Sequence, residues 1–131
     1  VSVPEQLQYS EEHEWVAGLA DGAGDVVTVG ITAHAADALG EIVYLELNKG
    51  EGERVEAGEP CGEIESTKSV SDLFSPVSGE ITAINPAAIE QPKVINDDPY
   101  GEGWIFKVRV EGEPGDLLDA EAYTRLTDES A

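Results

Sequence analysis

Glycine recurs at positions 50, 52, 58 and 62, with only short β-prone pieces such as Arg54-Val55-Glu56 between. Glycine tolerates positive φ and close backbone approach but weakens a helix interior by roughly 1 kcal/mol. This spacing therefore rules out a helix through the middle of the chain and predicts short strands that fold back sharply. The run Pro60-Cys61-Gly62-Glu63-Ile64 then enters Glu65-Ser66-Thr67-Lys68-Ser69-Val70-Ser71-Asp72, and the turn-rich Phe74-Ser75-Pro76-Val77-Ser78-Gly79 leaves it. Lys68, one of four lysines, is expected at the tip of a β-hairpin or tight β-turn. A lysine displayed in this way is an attachment point; the competing reading is an ordinary solvated lysine.

The flanks predict a mainly β chain with short helices. Tyr9 to Val16 reads as a strand, Asp21-Gly22-Ala23-Gly24-Asp25 as a turn, and Val26-Val27-Thr28-Val29-Gly30 as the returning strand. Thr32 can cap a helix over Ala33 to Leu39 that Gly40 would end. Ile42 to Leu47 has few polar breaks, which predicts a strand covered on both faces. Val70 to Phe74 and Gly79 to Asn85 make further strands, followed by a loop punctuated by Pro86, Pro92 and Pro99 with one helical turn near Ala87 to Glu90. Trp104 to Val110 alternates, with Trp104, Phe106, Val108 and Val110 inward. Leu118, Ala122 and Leu126 have helical spacing, so a final helix capped by Asp119 should lie on the sheet. The expected architecture is a small flattened β-barrel or sandwich with a C-terminal helix, a single domain over residues 1–131 with its core at about 9–126.

Charge narrows the function. With 28 acidic residues against 7 basic, the net charge is −21, which repels phosphate backbones and anionic lipid and removes nucleic acid and membrane as partners. The acids are dispersed among Val- and Ile-containing segments, so they form a solvated shell, one that would also suit a high-salt cytoplasm. Hydrophobic content of 40% with 6% aromatic predicts a core of Val, Ile, Leu and Ala. Cys61 is the single cysteine, which excludes an internal disulfide and reads as a small buried hydrophobe. No apolar stretch approaches a bilayer span and no signal-peptide pattern is present, so a soluble cytoplasmic protein is expected. His13 has no histidine or cysteine at ligand spacing, Asp97-Asp98 reads as loop chemistry before Pro99, and no nucleophile and base pattern emerges; no metal site and no catalytic residue are expected.

The segments Glu12-His13-Glu14-Trp15-Val16, Val29-Gly30-Ile31-Thr32, Ala38-Leu39-Gly40-Glu41-Ile42-Val43, Glu65 to Asp72, Ser75-Pro76-Val77-Ser78-Gly79-Glu80, Val94 to Trp104 and Leu117 to Tyr123 stand in one order from about Tyr9 to Leu126. In that order they resemble the H-protein family of glycine cleavage, within the wider group of lipoyl-bearing carriers. The resemblance implies the lipoyl/biotinyl-like fold, a flattened barrel-sandwich hybrid. Thr67 and Ser69 flank the lysine where biotin carriers usually place methionine, and the chain has no methionine. Lipoyl domains of 2-oxoacid dehydrogenases are shorter and lack counterparts of His13-Glu14-Trp15 and of the last helix.

The resemblance implies lipoate joined by an amide to Lys68, on a non-catalytic, monomeric carrier. Its implied partners are the PLP-dependent glycine decarboxylase that loads an aminomethyl group, the aminomethyltransferase that removes it, and dihydrolipoyl dehydrogenase, besides a lipoate ligase or a lipoyl or octanoyl transferase. It further implies a cleft that shelters the cationic aminomethyl end, with Glu14 and Asp72 supplying charge and His34 and Ile31 in its lining; Glu12 stands where many members have a small or hydroxylated residue. Each has an ordinary counterpart: Glu14 and Asp72 as surface acids, His34 as a helix-surface residue, Ile31 as core. Two other roles compete, a relay that passes lipoyl groups to other acceptors, and an unmodified interaction module.

Overall fold

The computed structural model describes residues 4, 6–19, 24–111 and 117–130. Thirteen elements follow along these residues: β1 (Gln8–Tyr9), β2 (Glu14–Ala17), β3 (Val26–Ile31), α1 (Ala33–Leu39), β4 (Ile42–Leu47), β5 (Arg54–Val55), β6 (Pro60–Ser66), β7 (Val70–Phe74), β8 (Gly79–Ile84), α2 (Pro86–Glu90), α3 (Lys93–Asp97), β9 (Phe106–Val110) and α4 (Ala120–Ser130). They build a six-stranded sheet in the order β1-β2-β3-β9-β8-β5 and a three-stranded sheet in the order β4-β6-β7, all pairs antiparallel. The two sheets are not joined by hydrogen bonds into a closed ring, so the expected flattened barrel is realised as its sandwich form.

Aliphatic side chains fill the space between the sheets: Val27, Val29 and Ile31 of β3, Leu45 of β4, Ile64 of β6, Leu73 of β7, Ile81 of β8 and Val108 of β9 are all buried. Full burial of such a side chain contributes about 1.5–3 kcal/mol. Cys61 belongs to the same core. Tyr9, Trp15 and Tyr123 are wholly or almost wholly buried in a second cluster that seats α4. The Tyr9 and Tyr123 rings stack at 4.7 Å, a bridge joins Tyr9 to Leu118, and Asp119 Oδ1 accepts from the Ala122 amide as the expected cap. Trp15 fits because Gly30 pairs with it across β2 and β3; a Cβ on Gly30 would stand 2.7 Å from the indole.

Several expectations are corrected. The predicted strand over Tyr9 to Val16 is two strands, broken at residues 10–13 by a turn in which His13 takes φ +71°, a left-handed value that is uncommon outside glycine. β4 is not covered on both faces: Val43 and Tyr44 are exposed, because β4 is an edge of the small sheet whose outer face is open. The last long strand begins at Phe106, and Trp104 is half-buried in the second cluster. Beside the expected helical turn near residue 87, α3 forms a second one, entered through Pro92 without a side-chain cap. The predicted turn at Asp21 to Asp25 lies partly outside the described residues. Among the described residues no helix is long and apolar enough to cross a membrane.

A lysine hairpin beside an acid-floored cleft

The β6–β7 hairpin carries Lys68 at its apex, exposed. Ser66 and Ser69 close the turn: the Ser69 carbonyl accepts from the Ser66 amide at 2.8 Å, and Ser66 Oγ accepts from the amides of Lys68 and Ser69, each at 3.1 Å. A serine hydroxyl thus takes up turn amides that no strand partner reaches. The tip is also tied sideways, the Thr67 amide donating to the Glu41 carbonyl at 3.0 Å, just where β4 begins. The lysine stem lies over Gly40, whose φ of +85° ends α1; a Cβ there would stand 2.9 Å from Lys68 Cε.

An open cleft of about 590 Å³ runs beside β7, one of the two edges of the small sheet. Its apolar lining is Ile31, Ala35, Ala38, Leu39, Ile64, Val70 and Phe74, and its polar lining includes Glu12, His13, Glu14 and Asp72. Ser69, next to Lys68, also lines it, so the cleft begins at the hairpin tip. Glu14 is 2% exposed. Its Oε1 accepts from Ser10 Oγ at 2.7 Å, and Ser10 Oγ in turn accepts from the Glu14 amide at 3.1 Å. Burial pushes the Glu14 carboxyl up to about 8; its hydrogen bonds from Ser10 and the Phe74 backbone oppose the shift, and the nearby charge of Glu12 adds to it. Asp72 is exposed at the rim.

His13 and His34 divide the role that sequence gave to His34 alone. His34 is exposed on α1 and is not part of the cleft lining; its ring rests 4.9 Å from that of His13, which is. His13 Nδ1 is 2.7 Å from the Tyr123 hydroxyl, which lies 2.8 Å from Thr32 Oγ1. Burial lowers the His13 pKa, His34 lowers it further and Glu12 opposes both. An acceptor Nδ1 on a neutral ring suits this network, with Tyr123 donating to it.

Comparison with known proteins bears on this arrangement. The family model described as glycine cleavage H-protein matches residues 7–130. The chain belongs to the glycine cleavage H-protein family. It is 56% identical over 124 residues to the glycine cleavage system H protein of Streptomyces coelicolor, spanning 95% of this chain and 96% of the relative. It is 56% identical over 128 residues to that of Thermobifida fusca, spanning 98% of each. The crystal structure of a glycine cleavage system H protein from Mycobacterium marinum superposes with a TM-score of 0.89 at 44% identity, covering 96% of this chain and 99% of the other.

Within this family framework, the structure brings Glu14, Asp72 and Ile31 into one cleft that opens beside Lys68. Ser10 was not singled out by sequence, and its signal is weak, because a hydroxyl four residues before a glutamate acquires meaning only when a turn folds it back. The lining fits a long apolar arm with a cationic end: aliphatic walls match the arm, and Glu12, Glu14 and Asp72 match the charge.

Proposed function

We propose that this chain is the lipoyl-bearing carrier of glycine cleavage, with Lys68 as the attachment residue. One juxtaposition carries the reading: an exposed apex lysine at the mouth of a cleft with apolar walls and a buried acid in its floor. Lipoate, when joined to this lysine as an amide, supplies a dithiolane able to accept and surrender an aminomethyl group. The protein's own residues hold, shelter and present. Ile31, Leu39 and Phe74 exclude water along the walls. Glu14 meets an incoming ammonium: a carboxyl with a pKa near 8 is largely protonated at neutral pH, and pairing with a cation pulls its proton off, so docking releases a proton to solvent. Asp72 supplies a second negative charge at the rim, where the ion remains in contact with water.

The same reading gives the carrier a cytoplasmic home, a monomeric state and the partners named by the family resemblance. Register places Tyr44, Glu65 and Val70 in one row on the outer face of the small sheet and Glu46, Glu63 and Asp72 in the next. Its four acids, Glu46, Glu63, Glu65 and Asp72, take part in none of the described ion pairs, Arg54–Glu111, Arg109–Glu80 and Arg125–Glu121. Enzymes that handle the Lys68 arm are therefore expected to approach with basic rims.

The test is co-expression with a lipoate ligase and ample lipoate, followed by peptide mass mapping across Glu65 to Asp72. Lys68 should carry lipoyl, Lys68→Arg should leave the peptide bare, and only the modified protein should support decarboxylase-dependent exchange of glycine carboxyl with bicarbonate. A bare Lys68 in the wild type, or full exchange by Lys68→Arg, refutes the reading.

A further inference from the structure

Helix α1 is only seven residues long, and a helix of that length is marginal without outside support. It nevertheless supplies Ala35, Ala38 and Leu39 to the cleft wall, and its end at Gly40 underlies the Lys68 stem. Much of its support comes from one stretch of chain. The Tyr100 hydroxyl accepts from the Ala33 amide at 3.0 Å, satisfying a free donor at the start of α1. Asn96 grips the other end with both atoms of its amide. Its Nδ2 donates to the Gly40 carbonyl at 2.8 Å and its Oδ1 accepts from the Ile42 amide at 2.9 Å. Between those two residues, the Glu41 carbonyl holds the hairpin tip through Thr67. The same stretch is anchored at its own ends: Ile95 is fully buried, and the Trp15 indole N–H, one residue from Glu14, donates to the Pro99 carbonyl at 2.8 Å.

We infer that residues 95–100 form a strap that sets the Lys68 amine and the α1 wall at a defined place relative to the Glu14 floor, with Asn96 and Tyr100 as its positioning residues. The inference rests on Lys68 being the attachment residue. Neither side chain lines the cleft. Both act through backbone joined to the site: Asn96 through residues 40–42, whose Glu41 carbonyl holds the hairpin tip, and Tyr100 through Ala33 at the start of the helix that supplies the wall.

Asn85 supplies the control. It is buried, it caps α2 through the Ala87 amide, and its Nδ2 donates to the carbonyls of Glu102 and Trp104, yet it touches neither α1 nor the hairpin tip. The full chain and its Asn96→Ala, Tyr100→Phe and Asn85→Ala variants are given to a lipoate ligase with lipoate and ATP. Attachment kcat and KM are measured alongside melting temperature and the hydrogen exchange of the Ala33 and Ile42 amides. A misplaced acceptor loses rate steeply, so Asn96→Ala should lose about tenfold or more in kcat/KM and exchange Ile42 faster, while Asn85→Ala stays within about twofold. Tyr100→Phe, which removes one oxygen, should exchange Ala33 faster and lose about threefold in kcat/KM. It carries the test should Asn96→Ala fail to fold. Equal attachment losses in Asn96→Ala and Asn85→Ala at matched melting temperature, or Tyr100→Phe indistinguishable from wild type, overturn the strap while the Lys68 reading stands. A wild type that the ligase leaves bare overturns both.

Discussion

A glutamate sealed under the cleft gives the protein a titration that simple surface acids lack. The Glu14 carboxyl has a pKa raised from an ordinary 4.5 to about 8, chiefly by burial, so the folded state holds its proton more tightly than the unfolded chain. The resulting stability is complete below pH 4.5 and is lost as the pH rises through about 8. The decline reaches about 1.4 kcal/mol per pH unit where the two states differ by one proton. Glu14→Gln keeps the neutral amide shape and has nothing to titrate, so urea unfolding between pH 5 and pH 8 should lose this slope. A variant whose stability falls with pH as steeply as the wild type would assign the slope to other groups. At this scale Glu14 was nameable through the family resemblance, whereas Ser10, which holds its Oε1, was not. The contact depends on the left-handed His13 that folds the turn, a conformation for which a histidine side chain gives little notice.

Among the elements, α1 was legible from sequence almost to the residue. Its signals are local: Thr32 Oγ1 accepts from the Ala35 amide, and the Gly40 amide donates to the Ala36 carbonyl. α3 was not, because Pro92 offers no side-chain cap and Lys93-Val94-Ile95-Asn96-Asp97 spans little more than one turn, too short for a hydrophobic period. The open face of β4 was also hidden, since an apolar run does not tell an edge strand from a buried one. Thr32 joins two scales of packing, for its hydroxyl also meets Tyr123 of α4. Thr32→Ala should therefore lose about 1–2 kcal/mol, the range for a lost cap together with a buried hydrogen bond. Thermal melting should show a drop of about 3–10 °C for a chain of this size. An unchanged midpoint would mean that water replaces both contacts.

Across the whole molecule, 28 acids against 7 bases act as one field. Screening shortens that field to about 8 Å at physiological ionic strength. Stopped-flow association with a partner enzyme should slow by roughly tenfold or more as salt rises from millimolar to near molar, the range seen for steered encounters. Rates that do not change across that range would mean that apolar contacts, such as the exposed Tyr44 and Val70, govern the encounter instead.

The sideways bond from Thr67 to Glu41 sets the mechanics of the apex. A free hairpin would sway, and its sway would add to that of any side chain it carries. Here the fulcrum is pinned to the residue that leads into a third strand, so the volume swept by a group fastened at Lys68 is governed by the length of that group, like a crane whose mast does not lean.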